Sequence, residues 1–199
     1  MPTRLILIRH GATEWNLKKR YCGFMDIGLS NKGKKQAKKL RHRLKKEEIF
    51  RVYSSDRKRA IETAKIVFKR IKIERIPALR EIHFGIFEGL THKEILKRYP
   101  GIYKKWLKDP FSIDIPGGEK INNFRKRIVK AFRRIIKVNK NKTIAVVCHA
   151  GVISIFINNI LKSKGFWSRI PSSASLSVIE YRNVQPKIHL FNCTKHLNG

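Results

Sequence analysis

Acidic residues are scarce in this chain of 199 residues. Only 14 Asp and Glu stand against 46 Lys and Arg, a formal charge of +32. Cysteine is scarcer still: Cys22, Cys148 and Cys193 are scattered and no CxxC occurs, which excludes a disulfide scaffold. A reducing, cytoplasmic setting is the expectation. With 12 Gly and 7 Pro, collagen-like and Pro-rich architectures are excluded. Long apolar runs are missing too. The opening Met1–Arg9 has four apolar residues in a row, Leu5 to Ile8, too short for a signal h-region. The most apolar stretch, Ile144–Leu161, is broken by His149, Asn158 and Asn159, whereas a membrane span needs about 20 mostly apolar residues.

What is present suffices for a core: 42% of residues are apolar and 10% aromatic, which argues against a disordered basic tail. Strand-like runs alternate with helical patterns. Arg4–Ile8, Phe50–Tyr53, Lys72–Ile76 and Thr143–Cys148 read as strands, with Ser175–Tyr181 and Lys187–Phe191 as late strands. Helices are expected from an N-cap at Ser30 to about Leu44, from Arg57 to Arg70, from Glu119 or Lys120 to about Val138, and from Val152 to Leu161. The stretch 78–120 is less regular, with short helices near 92–98 and 101–108, and reads as an insertion covering one edge of the sheet. The expectation is α/β: a single domain, 1–199, with a mostly parallel central sheet and helices on both faces in three layers.

In such sheets chemistry gathers at the carboxyl ends of the strands. Three strands finish in polar groups: Arg9-His10-Gly11, Ser54-Ser55-Asp56 and His149-Ala150-Gly151. Structure alone does not require all three endings. Two histidines and two or more arginines at one edge suit a phosphate, because the guanidinium fork matches its oxygens. Cationic neighbours also keep an imidazole neutral, and the neutral form is the nucleophile. Cys148 and His149 are adjacent in a strand, point to opposite faces and cannot pair. His42, His92, His189 and His196 read as surface or loop residues, and no zinc-like His spacing occurs.

These residues resemble the histidine phosphatase superfamily, the phosphoglycerate-mutase-like enzymes. Arg9-His10-Gly11-Ala12-Thr13 with Asn16 is similar to its R-H-G-x-T-x-x-N signature. Arg20, Gly23, Asp26, Leu29-Ser30, Gly33 and Gln36-Ala37 follow in the family's order. So do Ser54-Ser55 with Arg59-Ala60 and Thr63-Ala64, then Glu81, Phe84-Gly85 and Glu88-Gly89, Gly117-Gly118-Glu119, and His149 with Gly151. The resemblance implies that His10 is the phosphorylated nucleophile and that Arg9, Arg59 and His149 hold the phosphoryl oxygens. It implies that Glu81 is the proton donor, with Glu88 as a substitute acid, that Asn16 and Arg20 line the pocket, and that neither metal nor cofactor takes part. Two positions depart from the pattern: Arg57, where the family usually has an apolar residue, and His83, where it often has Asp.

The superfamily holds phosphatases and mutases. The shortness of the chain favours a phosphomonoesterase acting on a small phosphorylated metabolite. The stretch around Glu81–Gly89 looks most like the α-ribazole phosphatase branch. Metal-independent phosphoserine phosphatases, whose outline includes a His-Leu pair near the C-terminus (His196-Leu197), and cofactor-dependent phosphoglycerate mutases are the alternatives. A polyanion or nucleic-acid binding module is the alternative outside enzymology. The cations are spread over nearly every segment rather than gathered in one stripe, which speaks for solvated surface and against a specific nucleic-acid site. Late strands leave a homodimer open.

Overall fold

The computed structural model describes residues 1–163, 165–182 and 185–198. Strand β1 (Thr3–Arg9) leads through a short helix α1 (Glu14–Leu17) to α2 (Asn31–Arg43). Next come β2 (Arg51–Ser54), α3 (Lys58–Val67) and β3 (Ile73–Arg75). Two short helices, α4 (His92–Arg98) and α5 (Pro100–Lys108), precede the long α6 (Ile121–Lys137). The chain closes with β4 (Thr143–Cys148), α7 (Ala150–Ile160), β5 (Leu176–Arg182) and β6 (Gln185–Cys193). The six strands form one sheet in the order β3-β2-β4-β1-β5-β6. The four at the β3 side run parallel, while β5 is antiparallel to β1 and β6 to β5. The mostly parallel three-layer sandwich expected from the sequence is the observed one.

The period-two alternation of strands sorts the core into two layers. Leu5 and Leu7 of β1, with Ile144, Val146 and Cys148 of β4, face α6 and α7. Ile6 and Ile8, with Ala145 and Val147, face α2 and α3. Small residues let the second pair of helices sit close: Ala37, Ala60 and Ala64 are fully buried. On α6, buried Ile121, Phe124, Ile128, Phe132 and Ile135 recur three or four residues apart, and Phe132 stacks on Phe156 of α7 at 3.9 Å between centroids.

Two boundaries differ from expectation. Helix α3 ends at Val67, because Phe68 turns into the core and closes the helix with an amide bond to Ala64. Helix α7 begins at Ala150, with His149 itself as the N-cap, two residues earlier than the apolar pattern indicates. The 78–120 stretch was expected along a sheet edge. Instead its Leu79, Ile82, Phe84, Phe87, Tyr103 and Trp106 join the core of the α6–α7 face. Their rings meet edge to face, which fixes this irregular segment without long helices.

Candidate active site

Strands β1, β2 and β4 are neighbours, so their carboxyl ends deliver His10, Ser55 and His149 to one place. The imidazoles of His10 and His149 meet edge to face, 5.1 Å between centroids, and both residues are buried. Arg59 comes from the first turn of α3, is fully buried, and donates from Nε to Nδ1 of His149 at 3.3 Å. Its terminal nitrogens donate to the carbonyls of Gly23 at 2.7 Å and Met25 at 2.8 Å, so the loop after α1 cages the guanidinium. Arg9 donates from a terminal nitrogen to the carbonyl of Pro171 at 2.5 Å. Its Nε is buried and has no partner.

Hydrogen bonds decide the tautomers of both histidines. Nδ1 of His10 lies 2.7 Å from the Gly11 carbonyl, so Nδ1 carries the proton and Nε2 keeps its lone pair. On His149, Nδ1 accepts from Arg59, so Nε2 carries the proton and donates to Ser55 Oγ at 2.8 Å. Burial, and then the charges of Arg59 and Arg9, hold His10 well below the usual imidazole range. His149 is depressed in the same way, by burial first and then by Arg59. The sequence foretold the cationic contribution; burial outweighs it.

Glu81 is buried beside the first turn of α7. Its carboxylate accepts from the Gly151 amide at 2.8 Å and from the Ile82 amide at 3.0 Å. Burial raises its pKa above the ordinary carboxylate value against the pull of those two amides, so the side chain can hold a proton and give it up. Glycine at 151 leaves the carboxylate its place, because a Cβ there would stand 2.5 Å from Glu81 Oε1 and push the side chain aside.

Behind these groups lies a supporting frame that explains the rest of the motif. The Gly11 amide donates to Thr63 Oγ1 at 3.0 Å and the Ala12 amide to Gln36 Oε1 at 2.9 Å, which pins the turn after His10. Gly33 packs against that turn so closely that a Cβ would sit 2.0 Å from the Ala12 carbonyl. Arg127, which the sequence did not single out, donates to the carbonyls of Ala78, Arg80 and Glu81 while Glu119 holds it through two bonds of 2.7 Å. Its signal was the Gly-Gly-Glu segment, whose acid has to meet a cation. His196 is half-buried rather than a loose surface group. Its Nε2 bonds the Ala174 carbonyl at 3.0 Å, and the Ala174 amide donates to the His10 carbonyl at 3.0 Å.

Three other residues lie outside this cluster of bonds. Asn16 caps α1, accepting from the Thr13 amide at 3.0 Å. Arg20 turns to Glu94 at 2.9 Å and to the Gly89 carbonyl at 2.6 Å. Glu88 accepts from the amides of Gly23, Phe24 and Phe84, holding the loop that cages Arg59. Cys148 is buried in the α6–α7 layer, and burial pushes its thiol pKa up. Among the described residues no group of three or more His, Cys, Asp or Glu side chains is placed to hold a metal ion, and no helix is long and apolar enough to cross a membrane.

Fold and site together define an α/β protein that buries a histidine near the guanidinium groups of Arg59 and Arg9, with its pKa held down. The chain belongs to the histidine phosphatase superfamily (branch 1), whose family model matches residues 5–194. Phosphoserine phosphatase 1 of Hydrogenobacter thermophilus is 33% identical over 198 residues, covering 98% of this chain and 94% of its own. The solved structure of Bacillus stearothermophilus YhfR superposes with a TM-score of 0.92 at 30% identity, covering 98% of this chain and 99% of that one. The alpha-ribazole phosphatase from Shigella flexneri superposes with a TM-score of 0.87 at 27% identity, covering 96% of each chain. With such relatives the chain is a phosphatase of that superfamily.

Proposed function

We propose that the chain hydrolyses a small phosphorylated metabolite through a phosphohistidine on His10, without a metal. The observation that supports this most is the His10 tautomer: Nδ1–H is bound to the Gly11 carbonyl, so the lone pair on Nε2 is left for attack. Nε2 attacks phosphorus and the P–O bond to the leaving group breaks. Glu81, its pKa raised, gives its proton to the departing alkoxide. Arg9, Arg59 and His149 hold the phosphoryl oxygens, and the buried Arg9 Nε with no partner of its own is a donor suited to one of them. Water then attacks the phosphohistidine, Glu81 takes its proton back, the P–N bond breaks and phosphate leaves. The relatives include phosphoserine and α-ribazole phosphatases as well as a phosphoglycerate mutase, so both phosphate esters belong in the substrate panel.

The test is p-nitrophenyl phosphate turnover in chelator, followed by acid-labile labelling of the protein from a 32P-phosphorylated substrate. His10→Ala should lose turnover by about 10^4-fold or more, together with the label. Turnover surviving in that variant, or a label on another residue, would overturn the reading.

A further inference from the structure

Arg57 carries a cation where the family usually has an apolar side chain. It is the N-cap residue of α3, and its amide lies 3.4 Å from Ser55 Oγ, the atom that His149 bonds at 2.8 Å. The backbone of Arg57 is thus one side chain away from the cup. Its guanidinium carbon lies 4.8 Å from the centre of the Phe24 ring. That ring packs on His83 at 4.7 Å. Phe24 belongs to the loop whose Gly23 and Met25 carbonyls hold Arg59. One short loop therefore carries Arg59 by its backbone and Arg57 by its aromatic ring.

Among the described residues the side chain of Arg57 has no hydrogen-bond acceptor. Its Nε is buried without a partner, and among the described residues no carboxylate forms a salt bridge with it. The acids around it are committed elsewhere. Asp56 takes Arg80 Nε at 2.8 Å and 3.1 Å, and Asp26 takes the Lys58 amide at 2.7 Å. Asp56 offsets the charge of Arg80, while Asp26, which accepts only an amide, keeps its charge near Arg57. What Arg57 offers a ligand is its unfilled N–H groups, held on the aromatic face of Phe24.

We infer that Arg57 is a specificity-determining residue that receives a second anionic group of the substrate, a carboxylate, so that the preferred substrates are phosphorylated carboxylic acids. The unfilled donor fork of Arg57 fits a planar carboxylate, and the charge of Asp26 nearby disfavours a more highly charged anion. A second phosphate dianion would need a further unpaired cation there. The inference rests on the phosphatase reading above.

3-Phosphoglycerate and glycerol 3-phosphate have the same carbon skeleton and differ by a carboxylate against a hydroxymethyl group. Each is measured as a competitor of p-nitrophenyl phosphate turnover by the full chain. The wild type should bind the carboxylate about tenfold more tightly. Arg57→Leu should bring that ratio to within about twofold, with Arg57→Lys between the two. Lys58→Ala removes the same unit of charge from the neighbouring exposed residue and should leave the ratio where it was. A wild-type ratio near one, a ratio unmoved in Arg57→Leu, or an equal fall in Lys58→Ala would overturn the inference and leave the phosphatase reading standing. Absence of any His10-dependent turnover would instead fail that reading, and this inference with it.

Discussion

The two ends of the sheet make opposite kinds of surface. At the carboxyl end, around His10, the cup is buried and polar. At the amino end, beside Thr3, an open groove of about 1070 Å³ runs between α6, α7 and β5. Its floor is apolar, with Val129, Ile136, Phe156, Ile160 and Tyr181, and its rim carries Arg133, Lys137, Lys140 and Arg182. By its volume alone the groove is an inviting site. By chemistry it is not. Among the described residues, the buried polar atoms lacking partners include Arg9 Nε and Arg57 Nε near the cup, and none belongs to a groove-lining residue. A site is marked by buried groups that the protein leaves unsatisfied, because their desolvation is costly unless a ligand completes them.

After His10, the largest effect that separates the two ends is expected at Glu81. Replacing it with Gln keeps the shape and removes the transferable proton, so kcat for an alkyl phosphate such as phosphoserine, whose alkoxide leaves poorly without one, should fall by about 10^2 to 10^4-fold. The pH profile should change with it. Neutral His10 is the reactive form, so the rate rises as pH climbs through its depressed pKa. Protonated Glu81 is the reactive form for leaving-group departure, so the rate falls as pH passes its raised pKa. In Glu81→Gln the falling limb should disappear while the rising limb stays. A loss under about threefold, or an intact falling limb, would assign the proton to another group.

Much of this contrast was legible in the sequence, because the cup is built from strand ends. The strands were visible from their apolar runs, and a polar triplet closing Arg9-His10-Gly11 or His149-Ala150-Gly151 has no packing reason to be there. What stayed hidden depends on contacts between distant segments. Arg127 looks like one more cation on a basic helix until its bonds to the Ala78, Arg80 and Glu81 carbonyls are seen. His196 looks like a tail residue until the Ala174 relay joins it to His10. The same limit applied to 78–120: aromatic residues without a clean period gave the segment's content but not the face it covers. Motif register also said nothing about the direction of the Arg20 side chain, which a single acid, Glu94, determines.

Arg20 supplies the next step down in effect. The pair with Glu94 is partly exposed, 31% and 36% for the two side chains, so solvent screens it. Arg20→Met also leaves the Gly89 carbonyl without its donor. Together these should lower Tm by about 2–4 °C, with KM changed less than twofold. A tenfold rise in KM at unchanged Tm would show that Arg20 reaches the substrate and would enlarge the cup toward α4.

The smallest effect is expected at the groove, and it is the sharpest test of the contrast. Arg133 and Lys137 are exposed on its rim, far from the strand ends that carry His10. Replacing both by Ala lowers the formal charge from +32 to +30, which barely alters the field of so basic a protein. At physiological ionic strength, where screening acts over about 8 Å, kcat/KM should stay within about twofold of the wild type. At low salt a slight fall is expected, shared by every anionic substrate, because long-range steering weakens with total charge. A fall of tenfold or more for one substrate and not another would mean that the groove communicates with the cup, and the two ends of the sheet could no longer be treated as independent.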